Sequence, residues 1–471
     1  MKNIFLLLLL VKLSFVCCAQ TNKVPDPVVD KRVELLSIVF RLAGNQEYNT
    51  EDNKKYVGKI HSYFDKFQNH PLIKYARHLR DSSGIGYDAV MSMAISLTQV
   101  PDLNPIIPFS VKTPDKRWSV EEASKFSRLL KRFYDDANCK KFFESCTDDY
   151  KTANKQFDAL FKQLDINWYY QYYGKSPNEQ FNVIVGLGNG WNNYGPHIDV
   201  PNGAKKVYAI IGVGTFDSTG SPTFEKDIYL PTLVHEFNHS FVNYLTDEYA
   251  SSLSASQQII FNDEKVKMQR QAYPEWKIMS SEALVRASVI RYLMDHREDS
   301  QLVDKELKQQ LARGFVWMQS LVQQLGKYEI RRKTFPTLES YMPQLVKFYD
   351  TIAPKINLYD EDYLQHCAKL VSIQPFQDGD TSVSASITAI RFNFNKKLDG
   401  IRYFFGPTKK GMEHYPAPVK FTFINDNNTI LLQTKLKPGT EYEINMIGRM
   451  MKTEDGYAVQ DDVIHFKTKK D

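Results

Sequence analysis

The sequence contains few cysteines, no large excess of either charge and only one long apolar run. Its 471 residues include 5 cysteines, two of which are Cys17 and Cys18 near the start. The other three are too few for the disulfide framework of a small secreted scaffold. The formal net charge is +5, which gives no reason to expect nucleic acid or a strongly charged membrane surface as a partner. No stretch after residue 19 is apolar enough to span a bilayer.

The apolar run lies within residues 1–19, which have the organisation of a secretory leader. Lys2 supplies the positive start, residues 4–11 are apolar, and Cys17-Cys18-Ala19 provides a small-residue exit. The run is too short to span a membrane comfortably. Either cysteine could carry a lipid, although neither follows the small residue of the usual lipobox. We therefore expect a secreted, periplasmic or cell-surface protein, with surface attachment by lipidation as an open alternative.

Much of the chain after the leader has helical periodicity. Residues 30–170 contain a helix start at Asp30, a stop at Gly44 and a capping box that opens at Ser119. The aromatic run 168–173 is expected to pack in the core or at a domain interface, and a sugar-stacking cleft wall is the alternative. Further helices are expected over residues 302–325 and 338–349.

Two strand-like segments, 181–185 and 207–213, interrupt the helical pattern. A loop rich in Gly and Asn, residues 186–203, lies between them. Its Gly186-x-Gly188-x-Gly190 superficially suggests a phosphate-binding loop. The spacing does not fit a dinucleotide fingerprint and no helix follows, so we expect a turn.

The last hundred residues alternate between apolar and polar side chains, as β-strands do. Phe392 and Phe394, and later Tyr442 and Ile444, repeat with a period of two. Short, evenly spaced strands of this kind predict a β-sandwich. The expected fold class is therefore α+β. Its expected parts are a leader over 1–19, a mainly helical domain over 20–371 and a sandwich over 372–471.

The chemistry of the chain is concentrated in the stretch His235-Glu236-x-x-His239. On a helix, residues four apart share a face, so both imidazoles can point at one metal ion. Glu236 lies beside them, where a carboxylate can take a proton from a water held by the metal. Zinc suits imidazole ligands and leaves a position for water. The other face of the predicted helix is apolar and is formed by Leu233, Val234, Phe237, Phe241 and Leu245.

Such a site needs a third ligand from further along the chain. The metzincin pattern requires a Gly and a third His at positions that hold Val242 and Leu245 here, so that pattern is excluded. The gluzincin pattern takes a Glu from a later helix. The candidates in this chain are Glu248, Glu264, Glu275 and Glu282.

Glu282 is the candidate that we favour. It lies in Ser280-Ser281-Glu282-Ala283-Leu284-Val285-Arg286-Ala287, an amphipathic helix whose packing residues could hold it rigidly. Glu275 is the runner-up, because it follows Pro274 and could open a helix. Glu248 follows the motif too closely to fold back easily, and Glu264 falls in a charged segment that we expect to be solvated. Arg286 could pair with Glu282 along the helix.

The strands that precede the motif helix resemble the zincin metallopeptidase fold. In that fold an edge strand pairs with the substrate backbone, and the resemblance would give this role to residues 208–213. Thermolysin-like gluzincins have an Asp where this chain has Arg286, so the partner that orients His235 must differ.

Two further resemblances concern larger parts of the chain. The motif helix and the segment around Glu282 are similar to a family of secreted bacterial proteins with an uncharacterised domain, over about residues 30–350. The segments 374–398 and 436–442 resemble bacterial Ig-like domains of surface proteins.

These observations favour a secreted zinc metallopeptidase. His235, His239 and Glu282 would hold Zn²⁺, and Glu236 would act as general base on a peptide or protein substrate. The alternative is a catalytically inactive zincin-like binding or adhesion protein, against which the retained Glu236 argues. The sequence leaves the oligomeric state open. It also leaves open which donor would stabilise an oxyanion, among Tyr249, Tyr273, Tyr292, His296 and Arg286.

Overall fold

The computed structural model describes residues 24–110, 112–175, 179–201 and 203–470. The expected leader, with both lipidation candidates, lies outside the described residues. The described chain divides into two compact units. The first contains the residues up to 158 and those between 178 and 223, and the second contains 159–177 and 224–471. No described helix is long and apolar enough to cross a membrane.

The helices that begin in the first unit follow the start and stop signals of the sequence. The Asp30 side chain accepts the backbone N–H of Arg32, and Gly44 ends the same helix with a φ of 87°. Ser119 and Glu122 form the predicted capping box. The helices are α1 (Lys31–Ala43), α2 (Lys54–Phe64), α3 (Pro71–Ser83), α4 (Asp88–Ile95), α5 (Val120–Asp136), α6 (Cys139–Ser145) and α7 (Thr147–Phe161).

The sheet of the first unit contains β1 (Glu179–Gly186), β2 (His197–Ile198) and β3 (Lys205–Gly212). β1 pairs with β3 in parallel and β2 pairs with β3 antiparallel, so the strand order is β1-β3-β2. The expectation that residues 208–213 form a free edge is therefore wrong. The loop before β3 folds back and forms a further antiparallel bridge between Tyr194 and Ile210.

The Gly-rich segment after β1 is a turn, as the spacing of its glycines predicted. This turn packs against α1. The Leu187 N–H donates to the Glu34 carboxylate at 2.7 Å. A Cβ at Gly188 would lie 2.2 Å from Ser37 Oγ. A glycine is favoured there because a Cβ would overlap the Ser37 side chain of α1.

The second unit begins with the aromatic helix and contains the motif helix. Its helices are α8 (Ile166–Tyr173), α9 (Lys226–Glu248), α10 (Ala250–Arg270), α11 (Trp276–Asp295), α12 (Ser300–Ala312), α13 (Met318–Ile330), α14 (Leu338–Ile352) and α15 (Ile356–His366). The expectation of a single helix over residues 302–325 is wrong, because the helix is interrupted between α12 and α13. Gly314 adopts a φ of 96° at the break, and a Cβ there would lie 2.8 Å from Glu264 Oε2.

The C-terminal strands of the second unit form two sheets. The strands are β4 (Leu370–Gln374), β5 (Ala389–Phe394), β6 (Phe405–Gly406), β7 (Ala417–Ile424), β8 (Thr429–Lys435), β9 (Glu441–Met446) and β10 (Asp462–Lys467). One sheet has the order β4-β5-β8-β7 and the other has the order β10-β9-β6. Both contribute to one apolar core, which includes Phe392, Ile430, Ile444 and Phe466. The described chain is thus α+β, with helices followed by a C-terminal β region.

Because the C-terminal strands have a core of their own, we expect residues 368–471 to fold alone. The fragment starts at Ala368, which belongs to that core, so that β4 from Leu370 onward stays intact. Expressed separately, it should unfold in one cooperative transition and bind no zinc. A fragment that aggregates or melts without cooperativity would contradict this expectation.

Candidate metal centre

Helix α9 has one apolar face and one polar stripe, as the sequence predicted. The apolar residues are each at most 4% exposed; they are Leu233, Val234, Phe237, Phe241 and Leu245. His235, Glu236 and His239 are only partly buried. The motif residues therefore lie at the boundary between the core and an accessible surface.

The aromatic residues of α8 pack against the apolar face of α9. Tyr173 stacks on Phe241 with ring centroids 4.5 Å apart, and Tyr169 stacks on the same ring at 5.6 Å. Trp168 stacks on Tyr172 at 4.3 Å, and its indole N–H donates to Asp295. The aromatic run thus packs in the core of the second unit, which confirms that interpretation over a sugar-stacking wall.

Asn238 lies inside the motif and connects α9 to two other helices by hydrogen bonds. It is fully buried. Its Oδ1 accepts the Tyr173 hydroxyl of α8 at 2.8 Å, and its Nδ2 donates to the Val285 carbonyl of α11 at 3.2 Å. A further hydrogen bond joins Ser281 of α11 to Thr246 of α9 at 2.9 Å. The order of these contacts makes α9 and α11 antiparallel.

This pairing brings Glu282 to the two histidines. The Nε2 atoms of His235 and His239 are 3.1 Å apart. The Glu282 carboxylate oxygens lie 3.6 Å from His235 Nε2 and 3.5 Å from His239 Nε2. A tetrahedral zinc with bonds of about 2.0–2.1 Å requires ligand atoms about 3.3–3.4 Å apart. The spacing and the chemistry of these three side chains therefore fit one zinc ion.

Arg286 binds the same Glu282 oxygen, Oε2, that faces His235 Nε2. Its Nη2 donates to Glu282 at 2.8 Å and to the Tyr273 hydroxyl at 2.7 Å. Its Nη1 donates to Gln310 at 3.0 Å. Burial alone would raise the pKa of Glu282, but the positive charge of Arg286 is the largest of the influences that oppose it, and the pKa falls to about 2. Glu282 is therefore ionised and has the charge that a carboxylate ligand of a metal needs.

Burial and hydrogen bonding act on the remaining motif residues in the sense that a metal site requires. Burial lowers the pKa of His235 well below its ordinary value, so this imidazole is neutral and has a lone pair for a metal. The His239 Nδ1 lies 3.0 Å from Asn243 Oδ1, which orients the ring with Nε2 toward His235. Burial raises the pKa of Glu236, which makes its carboxylate a better proton acceptor.

The other candidates for the third ligand lie away from the histidine pair. Glu275 is exposed and precedes the first residue of α11, and Glu248 is the exposed last residue of α9. Glu264 is fully buried and pairs with Lys267 at 2.9 Å. The expectation that Glu264 is solvated is wrong, because the Glu264 carboxylate packs beneath Gly314 and α10 is not a surface helix at that point.

Glu264 belongs to a second acidic group with Asp263 and Asp360. Lys267 lies within this group, 2.6 Å from Asp360. Lys267 thus supplies one positive charge to this group, in which Glu264 is fully buried and Asp263 is exposed.

The candidate donors for an oxyanion fall into two groups, those beside Glu282 and those with partners elsewhere. Tyr273 and Arg286 contact each other beside Glu282. Burial and the Glu282 charge raise the pKa of Tyr273 to about 12, so its phenol keeps a proton to donate. The other candidates have partners elsewhere: Tyr249 donates to the Glu339 carbonyl, the Tyr292 hydroxyl accepts the Asp165 N–H, and His296 pairs with Asp165.

Sequence reasoning missed Asn238, Asn243 and Gln310. Asn243 could have been found, since it lies one helical turn after His239 on the same face. Asn238 is a polar residue on the buried side of an apolar helix, which signals a specific hydrogen bond. Gln310 could not have been found, because only the tertiary fold brings α12 to Arg286.

The chain belongs to the family of a domain of unknown function, DUF4932, whose family model matches residues 28–348. This is an uncharacterised family, as the sequence resemblance implied. No curated protein matches the chain.

Among solved structures, similarities are found to a bacterial surface-layer protein. The N-terminal part of the S-layer protein SbsC is 13% identical over 52% of this chain and 58% of that chain, with a TM-score of 0.17. Domains 1–6 of SbsC are 11% identical over 93% of this chain and 46% of that chain, with a TM-score of 0.18. The chain spans about half the length of these structures, and TM-scores of this size do not establish a shared fold.

Proposed function

We propose that the protein is a secreted zinc metallopeptidase of the gluzincin type. The observation that supports this best is the convergence of His235, His239 and Glu282 at spacings suited to zinc, with Glu236 as their neighbour. Export is inferred from the leader-like sequence over residues 1–19.

Each residue of the site has a role in peptide hydrolysis. His235, His239 and Glu282 hold zinc, which when bound supplies a Lewis acid. Glu236 accepts a proton from the attacking water and delivers it to the leaving amine. Tyr273 and Arg286, which contact each other beside Glu282, are the proposed donors to the negative charge that develops on the carbonyl oxygen. Arg286 also keeps Glu282 in place and ionised.

For the C-terminal β region we propose an Ig-like domain that acts as a spacer or interaction module. Two sheets around one apolar core support this assignment. In this proposal the domain positions the peptidase at the cell surface and takes no part in the chemistry.

The purified protein is expected to contain about one zinc per chain, as other single-site zinc enzymes do. Elemental analysis after dialysis measures the content, and His239→Ala is expected to abolish it because two ligands cannot retain the ion. Glu275→Ala is the matched control and should keep the metal. No zinc in the wild type after zinc is added back would overturn the proposal. Bound zinc without cleavage of any peptide would favour an inactive binding protein.

A further inference from the structure

A cavity of about 680 Å³ lies in the second unit between the helical region and the C-terminal strands. Helices α10 and α12 form one wall, and the chain before β6 and after β9 forms the other. Its volume is in the range of sites for small molecules and short peptide segments, about 300–1,000 Å³. Phe404 and Met450 give it an apolar surface on the strand side.

The charge of this cavity has one sign. Among its described lining residues, seven are Lys or Arg and none is Asp or Glu. Four of these cations pair with carboxylates that do not line the cavity. The pairs are Lys267 with Glu264, Arg270 and Arg449 with Asp461, and Lys308 with Asp304. The other three, Arg313, Arg402 and Lys452, form no side-chain hydrogen bond or ion pair within the described parts of the chain.

These three side chains maintain a positive potential in the cavity. Arg313 and Lys452 are partly buried, although a cation loses hydration free energy when it is buried without a partner. Burial, together with the charges of Lys305 and Arg402, lowers the pKa of Lys452. Acidic side chains offset these charges only in part. Glu306 acts on both Arg313 and Lys452 and accepts a hydrogen bond from Gln310, while Glu282 acts on Arg313 and Asp399 acts on Lys452. An anionic ligand would relieve this repulsion.

The cavity adjoins the candidate metal centre. Tyr273 lines the cavity, and its hydroxyl shares the Arg286 guanidinium with Glu282. A peptide whose scissile bond lies at the histidines could therefore extend into the cavity.

We propose that this cavity is a substrate subsite that binds a carboxylate of the peptide, with Arg313, Arg402 and Lys452 as the recognising groups. The proposal rests on the peptidase function above. The carboxylate is either an acidic side chain or the free C-terminus, because both present the two oxygens that a guanidinium binds. A nucleic acid is not favoured, since seven cations in one cavity do not form an extended basic surface and the net charge of the chain is only +5.

The test measures binding separately from cleavage. Zinc-loaded Glu236→Gln protein is titrated with labelled alanine–glycine peptides. One carries glutamates and an amidated end, one carries only a free C-terminal carboxylate, and one carries neither. We expect at least one of the carboxylate peptides to bind about tenfold or more tightly than the neutral one, as for a charged hydrogen bond. The peptide that binds identifies the source of the carboxylate.

The double variant Arg402→Gln/Lys452→Gln is expected to remove that about tenfold preference and to leave neutral-peptide affinity unchanged. Lys131→Gln/Lys409→Gln is the matched control, since it removes two exposed charges outside the lining. Equal binding of all three peptides, or an equal loss in the control, overturns the subsite. Binding of inorganic phosphate without either carboxylate peptide also overturns it. A preference that depends on the two cations, together with no cleavage by the wild type, overturns the peptidase and not the carboxylate recognition.

Discussion

A Glu236→Gln variant is expected to keep its zinc and to lose about 10²–10⁴-fold in kcat, the usual contribution of a general base. Gln is nearly isosteric with Glu, so α9 and both imidazoles should be undisturbed. It cannot accept a proton, and the step that requires a base loses its partner. The loss should therefore appear in kcat and not in the zinc content.

The measurement compares cleavage of a peptide library by the wild type and the variant, with zinc determined in both. Glu275→Gln is the matched control, because it makes the same chemical change at an exposed position before α11. It should alter neither zinc content nor rate. Equal cleavage by the Glu236→Gln variant and the wild type would remove Glu236 from the mechanism.

Replacing Arg286 by Gln is expected to destabilise the metal-free protein strongly. Both Arg286 and Glu282 are buried, with residual exposures of 6% and 8%. Removing one partner of a buried ion pair typically costs about 3–5 kcal/mol, because the other charge is left uncompensated. Zinc would compensate Glu282 directly, so the loss in unfolding free energy should be smaller for the zinc-loaded protein.

Urea unfolding with a chelator and with added zinc measures the two losses. Lys277→Gln is the control, since its pair with Asp247 is solvent-exposed and worth at most about 1 kcal/mol. Equal losses with and without zinc would show that zinc does not neutralise Glu282. That result would contradict the assignment of Glu282 as a ligand.

Local sequence signals predicted the helix ends and the motif helix well. Asp30, Gly44 and Ser119 each satisfy backbone groups within their own helix end, so no distant contact is needed to fix them. Glu282 could be selected because a rigid helix with buried neighbours was visible in the sequence around it. Its convergence with the histidines depends on the antiparallel packing of α11 on α9, which the sequence does not encode locally.

The errors concern features that depend on distant contacts. Glu264 lies in a charged segment, but its burial depends on the Gly314 break and on Lys267 neutralising its charge. β3 lies in the middle of its sheet because the preceding loop returns and supplies β2 at its second edge. The sequence could not show this, since the alternation of side chains is the same in edge and central strands. From the sequence alone, Gly314 could not be distinguished from a glycine that is tolerated inside a helix, because only the structure shows its left-handed backbone.

The hydrogen bonds of Asn238 have a consequence for the candidate metal centre, whose two histidines lie about 60–100° away around the axis of α9. Successive residues of a helix are rotated by about 100° around its axis, so fixing one side chain fixes the direction of all others. Asn238 is held by Tyr173 and by the Val285 carbonyl, and this sets the azimuth of α9 and hence the aim of His235 and His239. If the protein binds zinc as proposed, part of its zinc affinity depends on the alignment of the ligands, and that alignment depends on contacts in the core. A core mutation that does not contact the ion should therefore change the affinity.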